Sequence, residues 1–196
     1  MIRYGIKFDN KYLIYSDSAM REEIRKNPIY SHIKSHLDNM QDFITSSNAP
    51  YGLHRARKIE NFENEKIITP SMFKVNQFAY DNQHHYVGMS FNVINKKQDG
   101  PSLKYLLGLL NSHFALSWFY KNGKHRGAGV DIGVDKLRDF PLPSYDESKA
   151  KDIESMVTII LENGSNNDLE AKIDNIVYQL YELSPEEIAL VEESVK

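Results

Sequence analysis

The stretch LKYLLGLLNSHFALSWFY, residues 103–120, decides the fold, because its apolar residues recur at helical spacing and cover most of the helix circumference. Ser102 precedes it and can cap a helix, directly after the turn signal Asp-Gly-Pro at 99–101. A helix that is apolar nearly all round has to be buried, so we expect one buried helix over residues 102–120. Interrupted by polar residues 111–113, the stretch is too short to cross a bilayer. The apolar positions are Leu103, Leu106, Leu107, Leu109, Leu110, Phe114, Leu116 and Trp118.

The first part of the chain is expected to hold a β-hairpin followed by a helix. Residues 2–8 (IRYGIKF) alternate apolar and polar side chains, and KYLIY at 11–15 follows a turn-forming Asp-Asn pair. Asn27 and Pro28 then resemble a helix cap and a first-turn proline. The helix that they introduce would continue to Ile44, since apolar residues recur every three or four positions.

The centre of the chain has the pattern of a β-sheet. Three runs are short and β-prone: EKIITP at 65–70, FAY at 78–80 and HHYVGMSFNVI at 84–94. In the last run, every second residue from Val87 to Val93 is apolar, as expected for a strand with one buried face. We therefore expect a sheet ahead of the buried helix.

A basic, glycine-rich segment follows the buried helix, and a helical tail follows that segment. Four glycines and four Lys or Arg side chains in KNGKHRGAGVDIGVDK favour a flexible loop over residues 121–138. The prolines of DFPLP then end the body of the domain. Residues 146–196 show two apolar stripes typical of an antiparallel helical hairpin, and Ser184 and Glu187 fit the capping box of a third helix.

These elements predict an α+β protein with a β-rich body, residues 1–145, and an acidic helical hairpin, residues 146–196. Charge divides the chain near the same point. Residues 1–143 hold 20 Lys+Arg against 14 Asp+Glu, a balance of +6, whereas residues 144–196 hold 4 against 13, a balance of −9. The body can therefore face a polyanion, while phosphates would repel the tail, which we expect to pack back on the body.

Composition excludes several classes of function. The chain has no cysteine, which rules out disulfides, thiolate catalysis and cysteine zinc sites and fits a reducing cytoplasm. With 41% hydrophobic residues in 196, it can bury a sizeable core. The start, MIRYGIKFDN, lacks the apolar region of a signal peptide. We therefore expect a cytoplasmic globular protein.

Catalytic and metal-binding patterns are weak. NAPY at 48–51 departs by one residue from the Asn/Asp-Pro-Pro-aromatic loop of amino-group DNA methyltransferases, and no glycine-rich turn for S-adenosylmethionine precedes it. Glu-x-Lys strings at 147–149 and 170–172 lack the Pro-Asp partner of a metal-dependent nuclease. His32 and His36 have the i, i+4 spacing of metal ligands but no recognisable third ligand, which favours polar-face histidines. We expect no catalytic residue, metal or cofactor in this segment.

Two basic stretches are candidates for binding. On a strand, residues two apart share a face, so Arg55 and Arg57 of YGLHRAR would project together. The glycine-rich segment adds Lys121, Lys124, His125 and Arg126 on backbone that could follow a groove. A solvated edge strand and a solvated loop are the corresponding alternatives.

Several of these segments, in this order, resemble the TaqI-like C-terminal specificity domains. Those domains are the target-recognition parts of adenine-N6 DNA methyltransferases and of type II restriction enzymes that fuse methylation and cleavage. LKYLLGLLNS, FPLP and IDNIVYQLYELSPEE are the most specific elements, and similar ones recur in type I restriction specificity subunits. The resemblance extends over nearly the whole chain through KYLIY, NPIYSHIKSHLDNM, YGLHRAR, EKIITP, FAYD, LKYLLGLLNSHFALSWFY, LRDFPLP and IDNIVYQLYELSPEEIALVE.

The resemblance implies a domain that docks on double-stranded DNA, reads bases in the major groove and helps present a flipped adenine to a catalytic domain. S-adenosylmethionine would bind in that parent methyltransferase domain, which some members join to an endonuclease domain. Arginine suits contact with guanine or phosphate, so Arg55 and Arg57 are expected to read bases, while Lys124 and Arg126 contact phosphates. The expected DNA-binding residues are Arg55, Arg57, Lys74, Lys121, Lys124, His125 and Arg126.

Two other functions stay open from the sequence. The chain could be a nuclease or methyltransferase active in its own right, with NAPY or an unrecognised carboxylate set carrying the chemistry. It could also be a protein-interaction module whose acidic helical tail binds the partner. DNA binding at several salt concentrations and a methyl-transfer assay separate these functions from DNA recognition.

Overall fold

The computed structural model describes residues 3–6, 11–40, 51–53 and 56–196, which fall into two compact units. One unit is Asp9–Glu60, and the other joins Met1–Phe8 to Asn61–Lys196. Helices and two small antiparallel sheets make the protein α+β, as predicted. The predicted boundary at residue 145 falls inside the second unit, and as a functional division it stays a prediction.

The unit Asp9–Glu60 contains short helices. Helix α1 (Ser18–Lys26) begins at the side chain of Asp17, which accepts a hydrogen bond from the Met20 N–H at 2.8 Å. Asn27 caps a 3₁₀ turn (Pro28–Tyr30) through the Ile29 N–H, which confirms the predicted Asn-Pro start. Helix α2 (Ser31–Asp38) follows directly. The remainder of the predicted helix, from residue 41 to Ile44, lies outside the described residues.

The predicted opening hairpin is wrong where the chain is described. Tyr4 makes an isolated parallel bridge to Ala79 instead, and its N–H donates to the Phe78 carbonyl at 2.9 Å. Residues 11–15 form no strand and belong to the other unit. Burial of the Tyr4 ring in the core explains why this segment pairs with the central sheet rather than with its neighbour in sequence.

After the short helix α3 (Glu60–Glu63), the chain forms a central sheet, in which β1 (Lys66–Pro70) lies between β3 (Ala79–Asp81) and β4 (Phe91–Asn95). Strands β1 and β3 confirm the predicted runs EKIITP and FAY. The third run becomes a strand only from Phe91, in β4, since the preceding residues make a turn instead. At the start of this connection, the Asp81 carboxylate accepts the backbone N–H groups of Gln83 and His85, and these hydrogen bonds hold the chain out of a strand there.

The predicted single helix is divided at Ser112 into α4 (Leu103–Asn111) and α5 (His113–Asn122). Ser112 is extended and caps α5 through the Ala115 N–H at 3.1 Å. The side chain of Asn111 pairs with the backbone of Phe78, accepting its N–H at 3.1 Å and donating to its carbonyl at 2.9 Å. The prediction of burial is confirmed, but the extended backbone of Ser112 ends α4 and begins α5, so the helix is not continuous.

The C-terminal helices are α7 (Glu147–Asn163), α8 (Asn167–Leu180) and α9 (Pro185–Ser194). They pack against α4 and α5, as expected for the tail. Gly108 of α4 lies so close to α7 that an added Cβ would be 2.4 Å from Ile153 Cγ2. The predicted capping box of Ser184 and Glu187 is present in α9.

Candidate nucleic-acid interface

A second sheet carries three of the seven predicted basic residues, Lys124, His125 and Arg126. Its strands are β2 (Met72–Phe73), β5 (Lys124–Arg126) and β6 (Gly129–Asp131), in the order β2-β6-β5. All neighbours are antiparallel, and β5 and β6 form a hairpin with the two-residue turn Gly127-Ala128. The predicted flexible loop over 121–138 is therefore wrong, because it is a β-hairpin followed by helix α6 (Val134–Asp139).

Glycines close this hairpin and attach it to α5. Gly127 has φ +57°, a conformation that glycine adopts without strain, at the first turn position as in type II′ turns. At Gly123, between α5 and β5, an added Cβ would lie 2.3 Å from Val130 Cγ2. Val130 is fully buried, directly opposite Phe73 of β2. The hairpin is thus held in place by the burial of Val130 on its inner face and by the close packing at Gly123, where it joins the buried helix α5.

The outer face of the sheet is polar and exposed. Met72, Asp131 and Lys124 lie opposite one another across the three strands, so their side chains share this face. Arg126, two residues after Lys124, shares it too, and its Nε lies 3.0 Å from Asp131 Oδ2. The whole segment 124–128 is exposed to solvent.

The other predicted basic residues of this unit surround Tyr120, near the end of α5. The Tyr120 hydroxyl donates to the Lys74 carbonyl at 2.7 Å, and the rings of Tyr120 and His125 have centroids 5.8 Å apart. Lys121 follows Tyr120 in the chain and, like Lys74, is exposed. His125 pairs with Val130 in register, so it lies on the opposite face of the hairpin from Lys124. One small sheet and its helix junction thus bring together Lys74, Lys121, Lys124, His125 and Arg126.

The charge of this surface is positive. Among residues 3–6, 11–40, 51–53 and 56–196, the one carboxylate in ion-pair contact with these cations is Asp131, which pairs with Arg126. The carboxylates of α6 instead pair within that helix, with Lys136 and Arg138. Lys74, Lys121 and Lys124 are therefore available to a polyanion.

The predicted arginine strand is not supported. Arg55 lies outside the described residues, and residues 51–53 and 56–58 on either side of it form no strand. Arg57 belongs to the unit Asp9–Glu60, where its carbonyl accepts a hydrogen bond from the Tyr15 hydroxyl and its side chain is half-buried. Without strand geometry, the argument that the two guanidinium groups share a face no longer applies.

Where they are described, the catalytic and metal candidates NAPY, His32 and His36 belong to the unit Asp9–Glu60, and the basic hairpin belongs to the other unit. Residues 48–50 of NAPY lie outside the described part, but Tyr51 is buried and its hydroxyl donates to Asp38 Oδ1 at 2.6 Å. His32 and His36 are exposed on α2. The part of the chain that the structure describes contains no group of three or more residues suited to hold a metal ion. No helix within it has the length and apolar character needed to cross a membrane.

Sequence reasoning missed two members of the outer face, Met72 and Asp131. Met72 is 53% exposed, and Asp131 lies between it and Lys124 in the register. The signal for Asp131 was its two-residue spacing from Gly129 in GVDIG, which places both on one face of a strand. That signal is usable only once the segment is known to be a strand.

Comparison with known proteins shows similarity to one family and to one methyltransferase. A family model described as a TaqI-like C-terminal specificity domain matches residues 1–142, which include the hairpin β5–β6. The chain is also similar to the type II methyltransferase M.MjaIV of Methanocaldococcus jannaschii, with 24% identity over 189 residues. That match covers 89% of this chain and 63% of the relative, so the chain spans less than two thirds of the relative's length.

Proposed function

The chain belongs to the TaqI-like C-terminal specificity domains, and on that premise we propose that it recognises a specific double-stranded DNA sequence for a restriction-modification methyltransferase. The observation that carries this proposal is the exposed hairpin β5–β6 with lysines and an arginine around it. Its outer face has the charge that DNA phosphates attract, and its shape suits a groove.

The shape argument follows from the dimensions of a two-stranded ribbon. Neighbouring strands lie about 4.8 Å apart, and the major groove of B-DNA is about 12 Å wide, so the exposed end of the hairpin, beyond its pairing with β2, can enter the groove with its side chains. The turn Gly127-Ala128 adds little bulk at the tip of the hairpin. Anchoring by Val130 and Gly123 keeps the ribbon rigid, which limits the entropy lost on binding.

Each basic residue has a role that follows from its position. Lys124 lies on the outer face of the hairpin, while Lys74 and Lys121 lie at its base, where they would contact phosphates on either side of the groove. His125 lies on the other face and would contact the backbone from there. Arg55 and Arg57 stay candidates for DNA contact, with no strand to relate them.

The finer parts of the proposal concern the parent protein. The relative is a type II methyltransferase, and we propose that this chain works beside a methyltransferase domain that binds S-adenosylmethionine. Its task there would be to hold the DNA so that a flipped adenine reaches the catalytic pocket. A fused endonuclease, expected in some members, has no support in the comparisons, so we propose a methyltransferase partner alone. The cytoplasm is where such a system meets cellular DNA.

A salt titration tests the proposal. Affinity of the chain for random-sequence duplex DNA, measured by fluorescence anisotropy, should fall steeply with salt. Lys121→Gln and Lys124→Gln should each reduce the slope of log K against log salt by about 0.9, because one counterion fewer is released. Lys151→Gln is the matched control, since Lys151 is an exposed lysine on α7 paired with Glu147 at 2.7 Å.

Three results would contradict the proposal. One is a chain that does not bind DNA at low salt. Another is a control variant that reduces the slope as much as the hairpin variants do. The third is methyl transfer to unmethylated DNA by this chain with S-adenosylmethionine, which would make the segment an enzyme in its own right.

A further inference from the structure

We propose that Asp131 is a positioning residue that holds Arg126 in the orientation needed to read a guanine, an inference that rests on the proposed DNA recognition. The sequence suggested that Arg126 contacts a phosphate. Its ion pair with Asp131 and its place in the hairpin point instead to a base contact.

The Asp131 carboxylate is fixed through both oxygens. Oδ1 accepts the backbone N–H of Gly133 at 3.3 Å, and Oδ2 lies 3.0 Å from Arg126 Nε. Asp131 is also in the middle strand of its sheet, paired with Met72 on one side and Lys124 on the other. A carboxylate held in this way can fix the direction of a long side chain that is otherwise free to rotate.

The contact engages the arginine through Nε. The side chain is 56% exposed, so its two terminal nitrogens can still donate to a ligand. Two parallel N–H donors match the O6 and N7 acceptors of guanine, the commonest specific contact in the major groove. The orientation of the guanidinium before binding matters more for reading a base than for binding a phosphate. A guanidinium that points in the wrong direction loses one of its two hydrogen bonds to guanine.

The position of Arg126 supports a base contact as well. It is the last residue of β5, beside the turn Gly127-Ala128, and its partner across the ladder is Gly129. Gly127 and Ala128 are exposed and small, so the tip of the hairpin can approach the groove floor closely, whereas Gly129 is buried against the Phe73 backbone. Lys124 and Lys121 are farther from the tip, as expected for side chains that meet the phosphates at the groove edges.

A carboxylate on a DNA-facing surface weakens non-specific binding, because it repels phosphates. Asp131 should therefore have two opposite effects: it lowers the affinity for random DNA and raises the preference for guanine. A residue with a purely structural role would not have both effects. Asp131→Asn should bind random DNA more tightly, since a negative charge is removed, while its preference for guanine at one position weakens. A residue that only supported the fold would change both affinities in the same direction.

The test uses equilibrium selection from a duplex library with a randomised segment, followed by sequencing. We compare the wild-type chain with Asp131→Asn, Arg126→Ala, Arg126→Lys and the control Asp135→Asn. Asp135 is an exposed carboxylate on α6, 3.9 Å from Arg138. Circular dichroism and thermal melting check that each variant is folded.

The wild type should enrich guanine at one position of the randomised segment. At that position, Arg126→Ala should lose about 5- to 150-fold of the discrimination between guanine and the other bases, while the base preference at the other positions stays unchanged. Arg126→Lys keeps the positive charge but lacks the two parallel N–H donors. It should therefore keep the affinity for random DNA and lose the preference for guanine at that position. Asp131→Asn should weaken the preference for guanine at this position and leave the base preference at the other positions unchanged, and Asp135→Asn should leave the base preference unchanged at every position. Should Asp131→Asn fail to fold, the two Arg126 variants still decide whether Arg126 reads a base.

An Asp131→Asn variant that keeps the wild-type preference for guanine would overturn the inference, and so would either of two further outcomes; all three leave the proposed function intact. In one, the wild type enriches a sequence that neither Arg126 variant alters. In the other, Arg126→Ala weakens all sequences equally, which would make Arg126 a phosphate contact. A wild-type chain that enriches no sequence would instead overturn the proposed function itself, and this inference with it.

Discussion

Replacing Asp81 by Asn should destabilise the protein severely, because it leaves a buried lysine without its counter-charge. Asp81 in β3 and Lys66 in β1 are cross-strand partners, and the Lys66 Nζ lies 2.5 Å from Asp81 Oδ2. Their side chains are 1% and 0% exposed. Removing one partner of such a pair costs about 3–5 kcal/mol, a large share of the roughly 5–15 kcal/mol that holds a typical domain folded.

The structure predicts that Asp81→Asn and Lys66→Met lower the free energy of unfolding by different amounts. Without Asp81, the Lys66 ammonium keeps only the carbonyls of Phe62, at 2.6 Å, and Asn64, at 3.4 Å, among the acceptors that the structure describes. Without Lys66, the Asp81 carboxylate still accepts the N–H groups of Gln83 and His85 and contacts the His85 ring at 2.8 Å. Lys66→Met should therefore cost less than Asp81→Asn, and the double variant less than the sum.

Urea denaturation measures these differences, with Asp139→Asn as the control. Asp139 pairs with Lys136 at 3.2 Å on the exposed helix α6, so its loss should cost less than about 0.5 kcal/mol. The reasoning fails if Asp81→Asn lowers the free energy of unfolding by less than about 1 kcal/mol, or if Lys66→Met costs as much as Asp81→Asn.

The same variant should alter the response to acid. Burial alone would raise the pKa of Asp81, but hydrogen bonds from Lys66 and His85 overcome this effect and lower the pKa below its usual value. The carboxylate therefore contributes stability above its unfolded pKa of about 3.9, and loses that contribution as pH falls through the lower folded pKa. The stability gap between wild type and Asp81→Asn should be widest near neutral pH and shrink in strong acid.

Two further predictions concern the C-terminal helices. Gly108→Val should lower the free energy of unfolding by about 1–3 kcal/mol, because the new side chain meets Ile153. Urea denaturation checks this against Gly88→Ala, where an added Cβ has no neighbour within 4 Å, and an equal effect of both would contradict the close packing. Deleting residues 146–196 should cause aggregation or loss of fold, because α7 and α8 cover the apolar face of α4. A deletion that stays monomeric and folded by size-exclusion chromatography and circular dichroism would refute this.

The parts of the fold that could be predicted depend on local signals. β1 and β3 lie where β-branched and aromatic residues cluster, and Asn27 and Ser184 begin helices as their capping chemistry predicts. Burial of residues 103–120 followed from their composition. Each of these features is specified by residues close together in sequence.

The parts that could not be predicted depend on distant partners. The break at Ser112 accompanies the pairing of the Asn111 side chain with the Phe78 backbone, 33 residues away. Strand β5 consists of Lys124, His125 and Arg126, which include no apolar residue to indicate a strand, and it is defined by its pairing with β6, which in turn pairs with β2. The sequence therefore indicated the basic residues of the candidate interface. The hairpin that holds them and the proposed role of Asp131 could be inferred only from the structure.

Sequence-specific DNA binding is the central claim, and the ratio of two dissociation constants tests it most directly. We would measure binding of the chain to the duplex that it enriches from a randomised library and to a scrambled duplex of the same composition, at one salt concentration. If scrambling disrupts three or more base contacts at about 1 kcal/mol or more each, the enriched duplex should bind at least about 100-fold more tightly. Equal affinity for the two duplexes would contradict sequence recognition and leave only a basic surface that binds any DNA.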